Sequence, residues 1–264
     1  MSEGSAAIGR TVRAGLSGWT PGVRTSWAAL AAGAVLSLLT RALPPGLAPL
    51  APLFMIAAIV LASGALYRAS FAGPAGWRGL RWAREEWRLS VVILLSLVIV
   101  AVVAAVLLVL IGGVAVGVAR SNAPGFDNGS LEEWRLALSG PAAIPASLVP
   151  LASMIIMIWL FLRLSLAPAA TVDLGKVQVL SAFGRSRGAV LTLAAAGAVL
   201  AGPAVILLIA IDYVGAIAGV SEDALVPQLV SVALLFFYLI PVWTSALVEV
   251  YRRQPVPTPG TFRI

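Results

Sequence analysis

Residues Trp159 to Leu193 read WLFLRLSLAPAATVDLGKVQVLSAFGRSRGAVLTL. An apolar run ends at Arg163, Pro168 breaks the pattern, a short segment carries Asp173, Lys176, Arg185 and Arg187, and a second apolar run follows Gly188. Proline cannot donate to a helical ladder, and its ring clashes with the turn before it. The stretch is therefore an elbow between two apolar helices.

The same pattern extends outward from this elbow. The chain of 264 residues is 60% hydrophobic and 11% charged, with a mean hydropathy of +1.00. An ordinary globular surface needs about 25% charged residues. Its apolar blocks are long enough to cross a hydrocarbon core of about 30 Å at 1.5 Å per residue. The fold class expected is an all-α, polytopic membrane helical bundle. Six transmembrane helices are placed at about 27–43, 47–67, 89–119, 143–166, 188–211 and 225–250, within a membrane domain of residues 27–251. Residues 1–26 are small, polar and glycine-rich, with Arg10, Arg13 and Arg24, and read as a disordered or surface-lying tail. The first apolar run starts too late for a cleavable signal peptide. Residues 252–264 form a Pro-rich tail, extended and unpacked.

Pro44, Pro45 and Gly46 leave so short a connection that the first two spans form an antiparallel hairpin. Residues 68–90 are too charged to cross. Trp77, Leu80, Ala83 and Trp87 recur at helical spacing, with Arg78, Arg81, Arg84, Glu85 and Arg88 on other faces. An amphipathic helix lying among headgroups is expected, either as a collar that fixes topology or as a lipid-binding surface. The third run is longer than a straight crossing needs and should tilt or protrude. Ser130 and Glu133 have capping-box spacing, which predicts a short helix over Leu131–Leu138. Met154 and Met157 read as packing, and Pro203 and Pro241 as kinks within the fifth and sixth spans.

Fifteen of the 18 Lys and Arg residues fall on one side of a six-span arrangement, leaving Arg41, Arg120 and Arg135 on the other. That bias puts both termini and both elbows in the cytoplasm, at the inner membrane. Arg68-Ala-Ser-Phe-Ala after the second span parallels Arg163-Leu-Ser-Leu-Ala after the fourth, which suggests a parallel internal repeat of span, elbow and span.

The second elbow also resembles that of bacterial six-helix membrane proteins related to the membrane domain of glycerophosphoryl diester phosphodiesterases. An Arg-rich helix end, then small residues and Pro, an acidic residue, and a Ser and basic segment closing on Gly correspond here to Arg163, Pro168, Asp173, Ser181, Arg185, Ser186, Arg187 and Gly188. The resemblance spans about thirty residues and implies a fold. In those enzymes the chemistry belongs to a separate barrel with His and carboxylate metal ligands, so the activity does not carry over to a chain without His.

Cys and His are both absent, which removes thiolate nucleophiles, imidazole bases and the commonest transition-metal ligands. Glu132 with Glu133, and Glu222 with Asp223, are adjacent acids on loops, whereas hard-cation sites need several convergent oxygens. No catalytic, cofactor or metal site is expected, and no nucleic-acid partner, because the basic residues sit at span ends. In the second elbow, Thr171 should cap a short helix and Asp173 should pair with Lys176. The candidate elbow and lipid-contact residues are Arg68, Arg78, Arg81, Arg84, Arg88, Arg163, Asp173, Lys176, Ser181, Arg185 and Arg187. Two functions stay open. One is a non-enzymatic protein that organises or supports other membrane components through anionic lipid, with a membrane-protein partner or a second copy. The other is a transporter or flippase for a lipid-like substrate, using the proline-broken spans.

Overall fold

The apolar runs fold as helices throughout, and a computed structural model describes residues 3–73, 77–123, 126, 130–139, 143–217 and 225–254. In chain order these are α1 (Glu3–Arg41), a 3-10 segment (Pro45–Leu50), α2 (Ala51–Phe71), α3 (Arg84–Asn122), α4 (Leu131–Ala137), α5 (Ala143–Leu164), α6 (Ala167–Leu174), α7 (Leu180–Arg185), α8 (Val190–Ile217), α9 (Leu225–Leu234), a π-helical segment (Leu235–Leu239) and α10 (Ile240–Arg253). Among the described residues six helical stretches are long and apolar enough to cross a membrane: Gly4–Arg41, Pro45–Phe71, Arg84–Asn122, Ala146–Leu174, Val190–Ile217 and Leu225–Arg253. The chain is a multi-pass, all-α membrane protein. Glu222, Asp223 and the tail beyond Gln254 lie outside the described residues.

Contacts divide the chain into two units, one made of the chain up to Leu94 together with that from Arg163 onward, the other of Leu95–Leu162. In the second unit the hydroxyl of Ser130 accepts the Glu133 N–H at 3.1 Å and starts α4, as the capping-box spacing predicts. Phe126 sets its ring against Trp134 with centroids 4.7 Å apart, and the Asn122 side chain donates to the Ala137 carbonyl at 2.8 Å. The most apolar window of α3 has a mean hydropathy of 3.4 and is 6% buried. Such a face suits lipid tails. Gly113 and Gly117 lie open on this helix, where an added Cβ would meet nothing within 4 Å.

The first unit corrects the expectation of an N-terminal tail. Residues from Glu3 belong to α1, the helix around which this unit is packed, against α2, α8 and α10. Small residues that weaken an isolated helix let helices approach closely in a membrane bundle, and the glycines serve that purpose here. A methyl group on Gly18 would lie 2.7 Å from Cβ of Ser245 in α10. On Gly33 it would lie 2.6 Å from the Phe236 ring and 2.9 Å from the Ala58 carbonyl. Beyond Ser26, Leu30 and Ala34 join Ala58, Ala62, Leu66, Val232 and Phe236 in one apolar cluster. Before it, Val12 packs on a second cluster of Leu200, Val242 and Ala246.

Prolines in the last two spans set the remaining architecture. In an α-helical ladder the Phe237 carbonyl would accept from residue 241, which is Pro241 and has no N–H. The helix widens to a π turn just before it, with Ile240 N–H reaching the Leu235 carbonyl. The indole N–H of Trp19 then donates to the Phe237 carbonyl at 2.6 Å, supplying from α1 what the proline withholds. In α8, Pro203 deprives Val199 in the same way, and the Tyr238 hydroxyl donates to the adjacent Leu200 carbonyl at 2.9 Å. Trp19 and Tyr238 meet edge to face, with ring centroids 5.3 Å apart. One aromatic pair thus fills the Pro241 break and bonds beside the Pro203 one.

Replacing Trp19 with Phe keeps the ring and removes the donor. It should destabilise the protein by about 1 kcal/mol, the usual net contribution of one hydrogen bond. In a Pro241→Ala background, where residue 241 has its own N–H, the same replacement should cost clearly less. Thermal unfolding in detergent of the four proteins of this cycle measures the difference; equal losses in both backgrounds would contradict the assignment.

Candidate functional site

The two elbows and the end of α10 converge within the first unit. The first elbow departs from expectation. Residues 77–87 do not form an amphipathic interfacial helix; Trp77–Leu80 is a tight turn and α3 begins at Arg84. Leu80 N–H bonds the Trp77 carbonyl at 2.9 Å, with Arg78 at φ 49° and Gly79 at φ 81°. Both central residues are left-handed, as a type I′ turn requires. The spacing of Trp77, Leu80, Ala83 and Trp87 mimics a helix, but Gly79 falls within it and takes the left-handed conformation.

Gly79 also occupies a space that allows nothing larger. A Cβ there would sit 3.0 Å from the Ala65 side chain and 3.2 Å from Cα of Ser26. Ser26 is where α1 leaves helical geometry (φ −120°, ψ 16°), so the turn wedges between α2 and the bend in α1. Arg78 lays its guanidinium over the Trp27 ring, 5.0 Å from its centroid, and faces Trp77 at 5.9 Å.

Beneath the turn lies an ion pair that the charge pattern did not single out. Arg68 of α2 is 4% exposed and pairs with Glu86 of α3, which is fully buried. The other guanidinium nitrogen of Arg68 donates to the Gly79 carbonyl at 3.0 Å. Glu86 accepts from the Ala83 N–H at 2.7 Å, doing for α3 what the acid of a capping box does. Because Ala83 replaces the usual Ser or Thr, no cap is visible in the sequence. Gly64, one turn before Arg68, leaves room for the carboxylate: a Cβ there would be 3.1 Å from Glu86 Oε1. Arg68 is thus a buried fastening and not a lipid contact.

In the second elbow α5 stops at Leu164 and α6 restarts at Ala167, with Pro168 in its first turn. Thr171 does not cap a helix. It lies inside α6, and its hydroxyl accepts the Gln178 N–H at 3.1 Å, drawing the chain back after the left-handed Gly175. Ser181 donates to the Gln178 side chain. Arg163 donates to the Phe183 carbonyl at 2.8 Å, as Arg68 does to Gly79, so the arginine ending each span ties down the elbow that follows. Asp173 does not pair with Lys176. It accepts from the Tyr251 hydroxyl at 2.7 Å, which in turn accepts from Arg185 at 2.9 Å. A phenol at the end of α10 therefore bridges α6 and α7.

Further contacts join the two elbows. Arg88 reaches Gly175, where its Nη1 would be 3.3 Å from a Cβ. Arg252 donates to the Ser70 carbonyl and lies over the Phe71 ring, which meets Tyr251 edge to face at 5.7 Å. Of the eleven candidate residues, Arg78, Arg81, Arg84, Asp173, Lys176, Ser181 and Arg187 are exposed around this knot, beside exposed Trp77, Trp82 and Trp87. Glu86, Tyr251 and Arg252 are members that sequence reasoning missed. Among the described residues no three acidic side chains gather as a metal site. No protein-family description, curated protein or solved structure matches this chain.

Removing one member of a buried pair leaves an unpaired charge. Arg68→Met or Glu86→Leu alone should therefore cost about 3–5 kcal/mol, with the double replacement recovering most of the loss. Unfolding midpoints of the two single variants and the double variant report this, and additive losses would show that the two side chains act separately.

Proposed function

We propose that this multi-pass protein sits in the cytoplasmic membrane and organises or supports other membrane components without catalysis. Its elbows and both termini lie on the cytoplasmic side against anionic phospholipid headgroups. The observation that carries this is the first elbow, where exposed Arg78, Arg81 and Arg84 alternate with Trp77 (64% exposed), Trp82 (43%) and Trp87 (63%). Tryptophan favours the headgroup level, and arginine near an anionic surface gains about 1 kcal/mol each. Lys176 and Arg187 extend the exposed basic surface onto the second elbow.

A specific feature also favours the second reading, a transporter or flippase for a lipid-like substrate. Helices interrupted by proline line the substrate sites of many secondary carriers, and here Trp19 fills the carbonyl freed at the Pro241 break while Tyr238 bonds beside the Pro203 break.

Replacing Arg78, Arg81 and Arg84 together with Gln leaves Arg68 and Glu86 in place. Retention of anionic over zwitterionic phospholipid through mild-detergent purification should fall about fivefold per charge removed. Mass spectrometry of the co-purified lipids measures it. An unchanged lipid ratio would count against the surface being a lipid contact.

A further inference from the structure

We propose that residues 3–25 of α1 form a hinged strap that swings at Ser26 and is held shut across the Pro241 break by the indole of Trp19. The inference depends on neither reading of function.

The hinge is visible in the backbone. Ser26 interrupts the helix with φ −120° and ψ 16°. Its hydroxyl is buried, at 1% exposure, and has no hydrogen-bond partner among the described residues. One turn earlier, Pro21 removes another ladder donor, and Thr25 bonds back onto the Pro21 carbonyl at 2.9 Å and the Gly22 carbonyl at 3.1 Å, a pattern that bends helices. The wedge of Gly79 abuts Ser26 itself.

The two halves of α1 are fastened mainly to different partners, with Val23 and Gly22 just before the hinge also touching the cluster beyond it. After the hinge, Leu30 and Ala34 are locked into the cluster with α2, α9 and the π segment. Before it, Val12 sits on Leu200, Val242 and Ala246 of α8 and α10, and Gly15 and Gly18 lie close against α10. Arg10, Arg13 and Arg24 on this half are exposed and take part in none of these contacts. Its one hydrogen bond to another helix that replaces a missing backbone donor is that of Trp19 to Phe237. Lifting the strap would bare the carbonyl at the Pro241 break while leaving the rest of the bundle joined.

The chain contains no cysteine, so spin labels can be placed at will. In the full-length protein in lipid nanodiscs, one labelled pair, Arg10→Cys with Leu191→Cys, reports the strap. A second pair, Val35→Cys with Leu53→Cys, reports the half of α1 beyond the hinge; Leu191, Val35 and Leu53 are all well exposed. Pulsed dipolar spectroscopy of the first pair should show a narrow distance distribution, with a second, displaced population rising about tenfold in Trp19→Phe. The second pair should not change. Should Trp19→Phe fail to fold, Pro241→Ala serves instead: it gives the Phe237 carbonyl its own donor, lowers the need for the strap, and should also raise the displaced population. Unchanged strap distances in these variants, or broadening of both pairs together, would overturn the proposal.

Discussion

A backbone carbonyl inside a membrane has no water to turn to, so it must find a donor from the protein. Two prolines in the last two spans withdraw donors where the surroundings are apolar. The response is an aromatic pair, Trp19 from the first helix and Tyr238 from the sixth span, each donating to a carbonyl at or beside a break. The close passage of α1 follows from this need, because an indole can reach Phe237 only where α1 lies nearly against α10. Gly15 and Gly18 allow that approach.

At the elbow end the constraint is charge. Arg68 and Glu86 leave water as a pair, with the turn carbonyl of Gly79 bonded to Arg68 and the Ala83 N–H, just before α3, bonded to Glu86. Such a pair stabilises little on its own, because desolvation offsets most of the attraction. What it provides is position: α2, the wedge turn and α3 can meet in one register only. Tyr251 does the equivalent for the second elbow, holding Asp173 and Arg185 to the end of α10. Arg68, Glu86 and Tyr251 are buried, while Arg78, Arg81, Arg84 and the neighbouring Trp77, Trp82 and Trp87 stay exposed.

The spans were legible because apolar length is a strong signal, and Ser130 disclosed its cap. The N-terminal helix was not, for a physical reason. Glycine and serine signify disorder when water is the alternative partner, and close packing when another helix is; the sequence of residues 3–25 does not say which solvent it meets. The wedge turn was hidden because Arg78 and Gly79 make an uncommon pair for a type I′ turn, and four apolar residues happened to fall at helical spacing. Arg163 and Asp173 both bond within the second elbow, but their partners, Phe183 and Tyr251, come from beyond the local pattern. Tyr251 is 78 residues from Asp173 and 66 from Arg185, so no local spacing could have joined them.

The most direct test of α1 as the closing element is the indole proton of Trp19. With 15N-labelled tryptophan in nanodiscs, the chain gives one indole resonance for each of its 8 tryptophans, and the one lost in Trp19→Phe identifies residue 19. If Trp19 closes the Pro241 break, that proton exchanges with solvent far more slowly than those of Trp77, Trp82 and Trp87. Exchange as fast as theirs would contradict it.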